Sequence, residues 1–159
     1  MGVFPLKLLF EQEFEKHQKA LLLIALSYVH NTEDAKDIVQ EAALSAFQAM
    51  DSLRYPEYFK TWMTRIVINK SKNFLKGRKY TEALDDSLNI FSALPTEELE
   101  LMDAILRLGK ELSIYISLRF YGGMNYEEAA QALGQNVSTV KYKTKKALKE
   151  LKMILEGDV

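Results

Sequence analysis

The stretch NYEEAAQALGQNVSTVKYKTKKALKEL, from Asn125 to Leu151, leaves few folds open. Asn125 followed by Glu128 has the capping-box pattern with Asn in place of Ser or Thr, so a helix starts there, and Gly134 supplies the residue that can turn left-handed and end it. Asn136 is placed to cap a second helix. In that helix Val137, Val140, Ala147, Leu148 and Leu151 fall inward, while Lys141, Tyr142, Lys145 and Lys146 fall on the other side. Small Ala130 lets the two helices cross closely. A short helix, a glycine turn and a second helix with a basic outer face describe a helix-turn-helix, whose second helix reads the major groove. An unrelated helical hairpin is the alternative.

What precedes this motif is also helical. The chain has 159 residues and 48% hydrophobic content, enough for one ordinary domain or two small ones with a real core. Leu9, Phe10, Phe14, Leu21, Ile24, Ala25 and Tyr28 keep helical spacing and predict a scaffold helix from about Leu6 to His30. Thr32 is the expected N-cap of a second helix, with Glu33 and Asp34 at its positive end. There Ala35, Ile38, Val39, Ala42, Ala46, Phe47 and Met50 form the inward stripe. Asp37, Gln40, Glu41, Leu44 and Gln48 form the outer face, which reads either as solvated or as a docking face for a basic partner helix.

Leu53 to Thr61 reads as a loop, because Pro56 disfavours helix at Tyr55, and a third helix follows from about Phe59 to Gly77. This stretch mixes aromatic residues with cations. Tyr55, Tyr58, Phe59 and Trp62 give way to Arg65, Lys70, Lys72, Lys76, Arg78 and Lys79. Aromatic faces stack on unpaired bases and cations neutralise phosphates, so the mixture suits a separated nucleic-acid strand. Trp62 and Ile66 are assigned to packing, which leaves Tyr55, Tyr58, Asn69, Lys70 and Asn73 for function.

The net charge of −1 hides a segregation along the chain. Every charge from Lys60 to Lys79 is positive, every charge from Glu82 to Asp103 is negative, and Lys141 to Lys152 is basic apart from Glu150. Residues 80–95, where helical periodicity lapses, read as an acidic linker. Beyond it a helix begins near Thr96, its expected cap, with Leu101, Ile105 and Leu108 buried. Gly109 breaks it, and a further helix from about Lys110 to Tyr121 turns Leu112, Tyr115, Ile116 and Phe120 inward. With no cysteine and only two histidines, disulfides and thiolate zinc sites are excluded, and no cofactor or metal is expected. The longest apolar run, Ala20 to Leu26, is far short of a membrane span, and the start lacks a signal-peptide layout, so a cytoplasmic protein is expected.

Three blocks in order, DAKDIVQEA at 34–42, FKTWMTRIVINKSKNFLKGR at 59–78 and the helix-turn-helix ending VSTVKYKTKKALKEL, resemble the extracytoplasmic-function group of bacterial RNA polymerase sigma factors. The resemblance covers nearly the whole chain. It implies an all-α fold of two small helical domains: a sigma-2-like bundle over 1–79 and a sigma-4-like helix-turn-helix domain over 96–159, joined by the acidic linker 80–95. By position, Asp37, Gln40 and Glu41 match the surface that grips the β′ clamp coiled coil of core polymerase. Tyr55, Asn69, Lys70 and Asn73 match the part that melts the −10 element and captures an unstacked base. Ser138, Lys141, Tyr142, Lys145 and Lys146 match the −35 reading positions. The resemblance further implies contact with the polymerase β flap, promoter DNA as a partner, and restraint by an anti-sigma factor, often membrane-bound. No small-molecule substrate is implied. Where many relatives carry Leu-Pro before the penultimate helix, this chain has Leu108-Gly109-Lys110.

Two other classes compete. A helix-turn-helix regulator would use residues 1–79 as a sensing or dimerisation bundle, which leaves the aromatic and basic stretch at 53–79 unexplained. An enzyme on a helical scaffold is disfavoured, since no HExxH, glycine-rich phosphate loop or Ser/His/Asp set appears.

Overall fold

The structure is a computed structural model that describes residues 3–77 and 96–157, and its centre is α1 (Val3–Val29). From Leu21 to Val29 α1 has no exposed residue. Leu21, Leu23, Ile24, Ala25, Leu26 and Ser27 are all buried, which requires cover on more than one side. One side is covered by α2 (Thr32–Gln48) and α3 (Phe59–Lys76), which complete a three-helix bundle. The other is covered by the C-terminal part, through α5 (Ser113–Ile116) and the turn that follows it; α6 (Tyr126–Leu133) packs on α3, and α4 (Thr96–Arg107) and α7 (Val137–Leu155) pack on α5. One apolar cluster therefore runs from Phe10 and Phe59 through Ile24 and Leu118 to Leu133 and Val140. A second, smaller cluster of Ile105, Leu112, Ile116, Ala147 and Leu151 lies within the C-terminal part.

Local chemistry sets the element ends. His30 adopts φ 53°, donates its backbone N–H to the Leu26 carbonyl at 2.9 Å, and stops α1. Asn31, not Thr32, caps α2: its side chain accepts from the Asp34 N–H at 2.9 Å, while Thr32 is buried as the first helical residue. The segment between α2 and α3 holds two short 3-10 turns, Met50–Ser52 and Pro56–Tyr58, with Pro56 at the start of the second. α3 ends at Lys76, one residue short of the expectation. The capping box of α6 is complete in both directions, at 2.8 and 3.1 Å, and Gly134 at φ 66° closes the helix. Asn136 holds the N-cap position of α7, but its side chain makes no capping bond.

Other expectations need correction. The helix expected over 110–121 is a single α turn, α5, followed by a π turn at Ser117–Tyr121, in which the Gly122 N–H reaches the Ser117 carbonyl at 2.8 Å. The extra residue per turn shifts the register. Phe120, expected inward, is 59% exposed, and Leu118 takes the buried position instead. Phe47 is partly exposed at the bundle edge, with its ring edge-on to Phe10 at 5.6 Å. On α7, Val137 and Leu148 are exposed; Thr144 fills the inward row between Val140 and Ala147, its hydroxyl donating to the Val140 carbonyl at 2.7 Å. Leu101 and Leu108 are half-buried, and Met102, Ala104, Ile105 and Leu106 carry the inner face of α4. Thr96, expected as the cap of α4, is its first helical residue, while the linker expected over 80–95 and the cations Arg78 and Lys79 lie outside the described residues.

Candidate polymerase and promoter interfaces

Three groups of exposed side chains stand on this frame. On α2, Asp37, Gln40 and Glu41 point to solvent with Leu44, which is 59% exposed. Their spacing of three and four residues puts them in one row. The row is acidic and polar with an apolar knob at its end. It suits a partner helix that brings cations and one apolar contact.

The second group starts at Tyr55, whose backbone is extended (φ −125°, ψ 114°). The tight turn behind it, Tyr58 N–H to Tyr55 carbonyl at 3.0 Å, lifts both tyrosines away from the bundle. Tyr55 and Tyr58 are 55% and 60% exposed, and their rings meet edge to face at 5.7 Å. Phe59 points the other way, buried against Phe10 and Trp62. Trp62 and Ile66 pack on the core, as their spacing predicts. Further along α3, Asn69 and Asn73 are exposed on the same side as Lys72 and Lys76. That surface offers amides for base edges and ammonium groups for phosphates.

Lys70 stands apart from them. It is half-buried and lies 3.7 Å from the Glu41 carboxylate on α2. A residue expected to serve the promoter is thus joined to one expected to serve the polymerase. Lys60 and Arg65, cations of the same train, turn toward the C-terminal helices: Lys60 donates to the Gly123 carbonyl at 2.9 Å and Arg65 to the Gln131 carbonyl at 2.6 Å. The charge pattern alone could not separate these cations from their neighbours. The two-sided apolar character of residues 21–27 is the signal that could have shown a second covering layer.

Beside the tyrosine turn, Glu13, Lys16, His17, Pro56, Glu57 and Lys60 line an open polar pocket. His17 has its pKa lowered, first by burial and then by Lys16 and Lys60, with Glu13 at 3.5 Å acting the other way. The third group is the outer face of α7. Ser138, Lys141, Tyr142, Lys145 and Lys146 are all exposed, Tyr142 by 64%. Lys141, Lys145 and Lys146 carry no ion pair among the described residues. Buried Val140, Thr144, Ala147 and Leu151 hold the opposite face of α7 on α5 and α6. Among the described residues no cluster of His, Asp and Glu side chains could hold a metal ion.

Comparison with known proteins gives two family matches. Residues 14–81 match the model of sigma-70 region 2, and residues 98–151 match that of sigma-70 region 4. The chain is 32% identical over 143 residues to RNA polymerase sigma factor SigV of Bacillus subtilis, covering 87% of this chain and 86% of that protein. It is 30% identical to the ECF RNA polymerase sigma-E factor of Escherichia coli, covering 85% and 86%. Among solved structures, CnrH in complex with the cytosolic domain of CnrY superposes with a TM-score of 0.66 at 26% identity, over 94% of this chain and 89% of that one. The sigma factor RpoE of Bartonella quintana, in complex with the anti-sigma factor NepR, shares the fold with a TM-score of 0.74 over 94% and 98%. The chain belongs to the extracytoplasmic-function group of the RNA polymerase sigma-70 family.

Proposed function

We propose that this sigma factor divides its work among the three exposed groups. The family function is to bind core RNA polymerase and direct initiation at specific promoters. In our reading Asp37, Gln40 and Glu41 dock on the β′ clamp coiled coil. Tyr55, Asn69, Lys70 and Asn73 open the −10 element and hold a flipped base. Ser138, Lys141, Tyr142, Lys145 and Lys146 read the −35 element. Residues 1–79 and 96–159 are the two working modules, with 80–95 between them.

The observation that supports this reading most is the pairing of an exposed tyrosine turn with an amide and lysine face on one helix. A duplex-binding regulator has no use for it, whereas strand capture requires both stacking and phosphate neutralisation. The chain supplies binding energy and no bond-making chemistry of its own. We place it in the cytoplasm with the polymerase; no described helix is long and apolar enough to cross a membrane. The solved neighbours carry CnrY and NepR, and we infer a protein restraint of that kind for this chain. Transcription with purified core polymerase over a genomic fragment library tests the reading. Discrete start sites that need both proteins are expected, and operator binding without core would favour a regulator.

A further inference from the structure

The turn Gly134-Gln135-Asn136, which leads into the recognition helix α7, has little to hold it from within. Gly134 offers no side chain, and Asn136 stands at the N-cap position without a capping bond. The turn is tied from α5 instead. Tyr115, buried there, donates its hydroxyl to the Oε1 of Gln135 at 2.9 Å. A buried phenol needs a hydrogen-bond partner, and this one finds it 20 residues along the chain. The backbone N–H of Gln135 meanwhile donates to the Ala130 carbonyl at 3.0 Å and closes α6. Gln135 thus joins the end of α6 to α5 at the residue just before the N-cap of α7.

The start of α6 is held from the same side. Arg119, in the π turn after α5, donates to the Met124 carbonyl at 3.1 Å and lies 5.5 Å from the centre of the Tyr126 ring. Two anchors fix the direction of a helix that one would leave free to pivot. Beyond the turn, Val140, Ala147 and Leu151 hold α7 by apolar burial, which is not directional. A hydrogen bond is directional. The first exposed side chains after the tie that face the groove are Ser138 and Lys141. Both partners of the tie lie in the C-terminal module, so it does not depend on the N-terminal bundle.

We propose, on the sigma-factor reading, that Tyr115 is a positioning residue for the −35 element: through Gln135 it sets the angle at which the first turns of α7 present Ser138 and Lys141 to the bases. A side chain that reads a base edge must meet a narrow range of distance and angle. Attraction between a cation and a phosphate falls off slowly with distance and carries no sequence information. Losing the tie therefore removes preference and spares nonspecific affinity.

The test uses holoenzyme formed with core polymerase, on promoters that differ at single −35 positions. Tyr115→Phe removes only the hydroxyl and leaves Gln135 to water. It should relax the preference that Lys141→Ala also relaxes by about two- to tenfold, the range of one neutral hydrogen bond, with binding to a scrambled −35 element unchanged. Gln135→Leu should relax it equally and also lower the melting temperature, because the buried phenol then has no partner. Adding Tyr115→Phe to Gln135→Leu should restore stability and leave the preference relaxed. Full preference in Tyr115→Phe overturns the proposal, as does an equal loss on all sequences or a preference that returns with stability. Amide exchange in the free protein is the independent arm: Tyr115→Phe should speed exchange at the Gln135 and Val140 N–H groups, and unchanged rates contradict the tie. If the unaltered holoenzyme shows no −35 preference, the sigma-factor reading fails instead, and exchange alone decides whether Tyr115 holds the turn.

Discussion

Glu41 and Lys70 face each other from two helices that we assign to different partners, at 3.7 Å and partly in water. An ion pair of this kind stabilises by about 0.2–1 kcal/mol, so either side can be removed without unfolding the bundle. Asp37→Lys with Glu41→Lys should keep thermal stability within ~1 kcal/mol and markedly weaken binding to core, read by pull-down or by competition with another sigma factor. Unchanged affinity removes α2 from the docking surface. Asn69→Ala with Asn73→Ala should spare binding to closed promoter and reduce open complex. Tyr55→Ala should do the same, with stacking worth about 1–3 kcal/mol per base. A premelted bubble separates them: it should rescue much of the Tyr55 defect, which concerns nucleating the opening, and less of the amide defect, which concerns holding the base. His30 carries a pH prediction. Its pKa is lowered from 6.5, first by burial and then by Lys110, while a backbone hydrogen bond to Ser27 acts the other way; its Nε2 is buried without a partner. A depressed histidine adds stability that is fully present above 6.5 and is lost as pH falls. Thermal melts at pH 7.5 and 5.5 should show a smaller acid loss in His30→Gln; an equal loss would assign the effect to other groups such as His17.

At the scale of elements, the parts written in local chemistry were legible. Asn125, Glu128 and Gly134 specify α6 and its turn through backbone hydrogen bonds within a few residues, and the structure has each of them. Gly134→Ala should cost about 1 kcal/mol, because a Cβ at φ 66° meets its own backbone; a melt shows it. The π turn was not legible, since Ser117 to Tyr121 has the composition of an α-helix and the added residue reflects packing of Ser117 and Leu118 against α1. That shift explains why Phe120 faces water. Likewise the row of α7 tilts to bury Thr144 in place of Leu148, a choice made by the neighbouring helices. The outer face is unaffected, and it carries the specificity prediction. Lys141→Ala or Lys146→Ala should relax preference at a −35 base by about 1–3 kcal/mol, while Lys152→Ala should do little. Equal losses on all sequences for the three variants would make α7 an electrostatic anchor only.

For the whole molecule, order along the chain was readable and arrangement was not. Three sequence blocks implied two modules, and the region 2 and region 4 matches agree with them. Their closure depends on contacts between residues as distant as Ser27 and Ser117, which no local pattern encodes. The apolar residues around α1 from Leu21 to Leu26 held the signal of a second cover, which reading α1 as a scaffold helix did not draw. The same arrangement divides the basic train of α3, with Lys60 and Arg65 turned to the C-terminal helices and Lys72 and Lys76 on the open face beside Asn69 and Asn73. Strand opening is the claim on which this division depends. Permanganate footprinting of unpaired thymines on a linear promoter, with core polymerase and this protein, tests it most directly. The account predicts reactive thymines around −10 that need both proteins and that are lost in the Asn69→Ala, Asn73→Ala variant while protection at −35 persists. Full reactivity in that variant, or protection of duplex promoter by this protein without core, would contradict it.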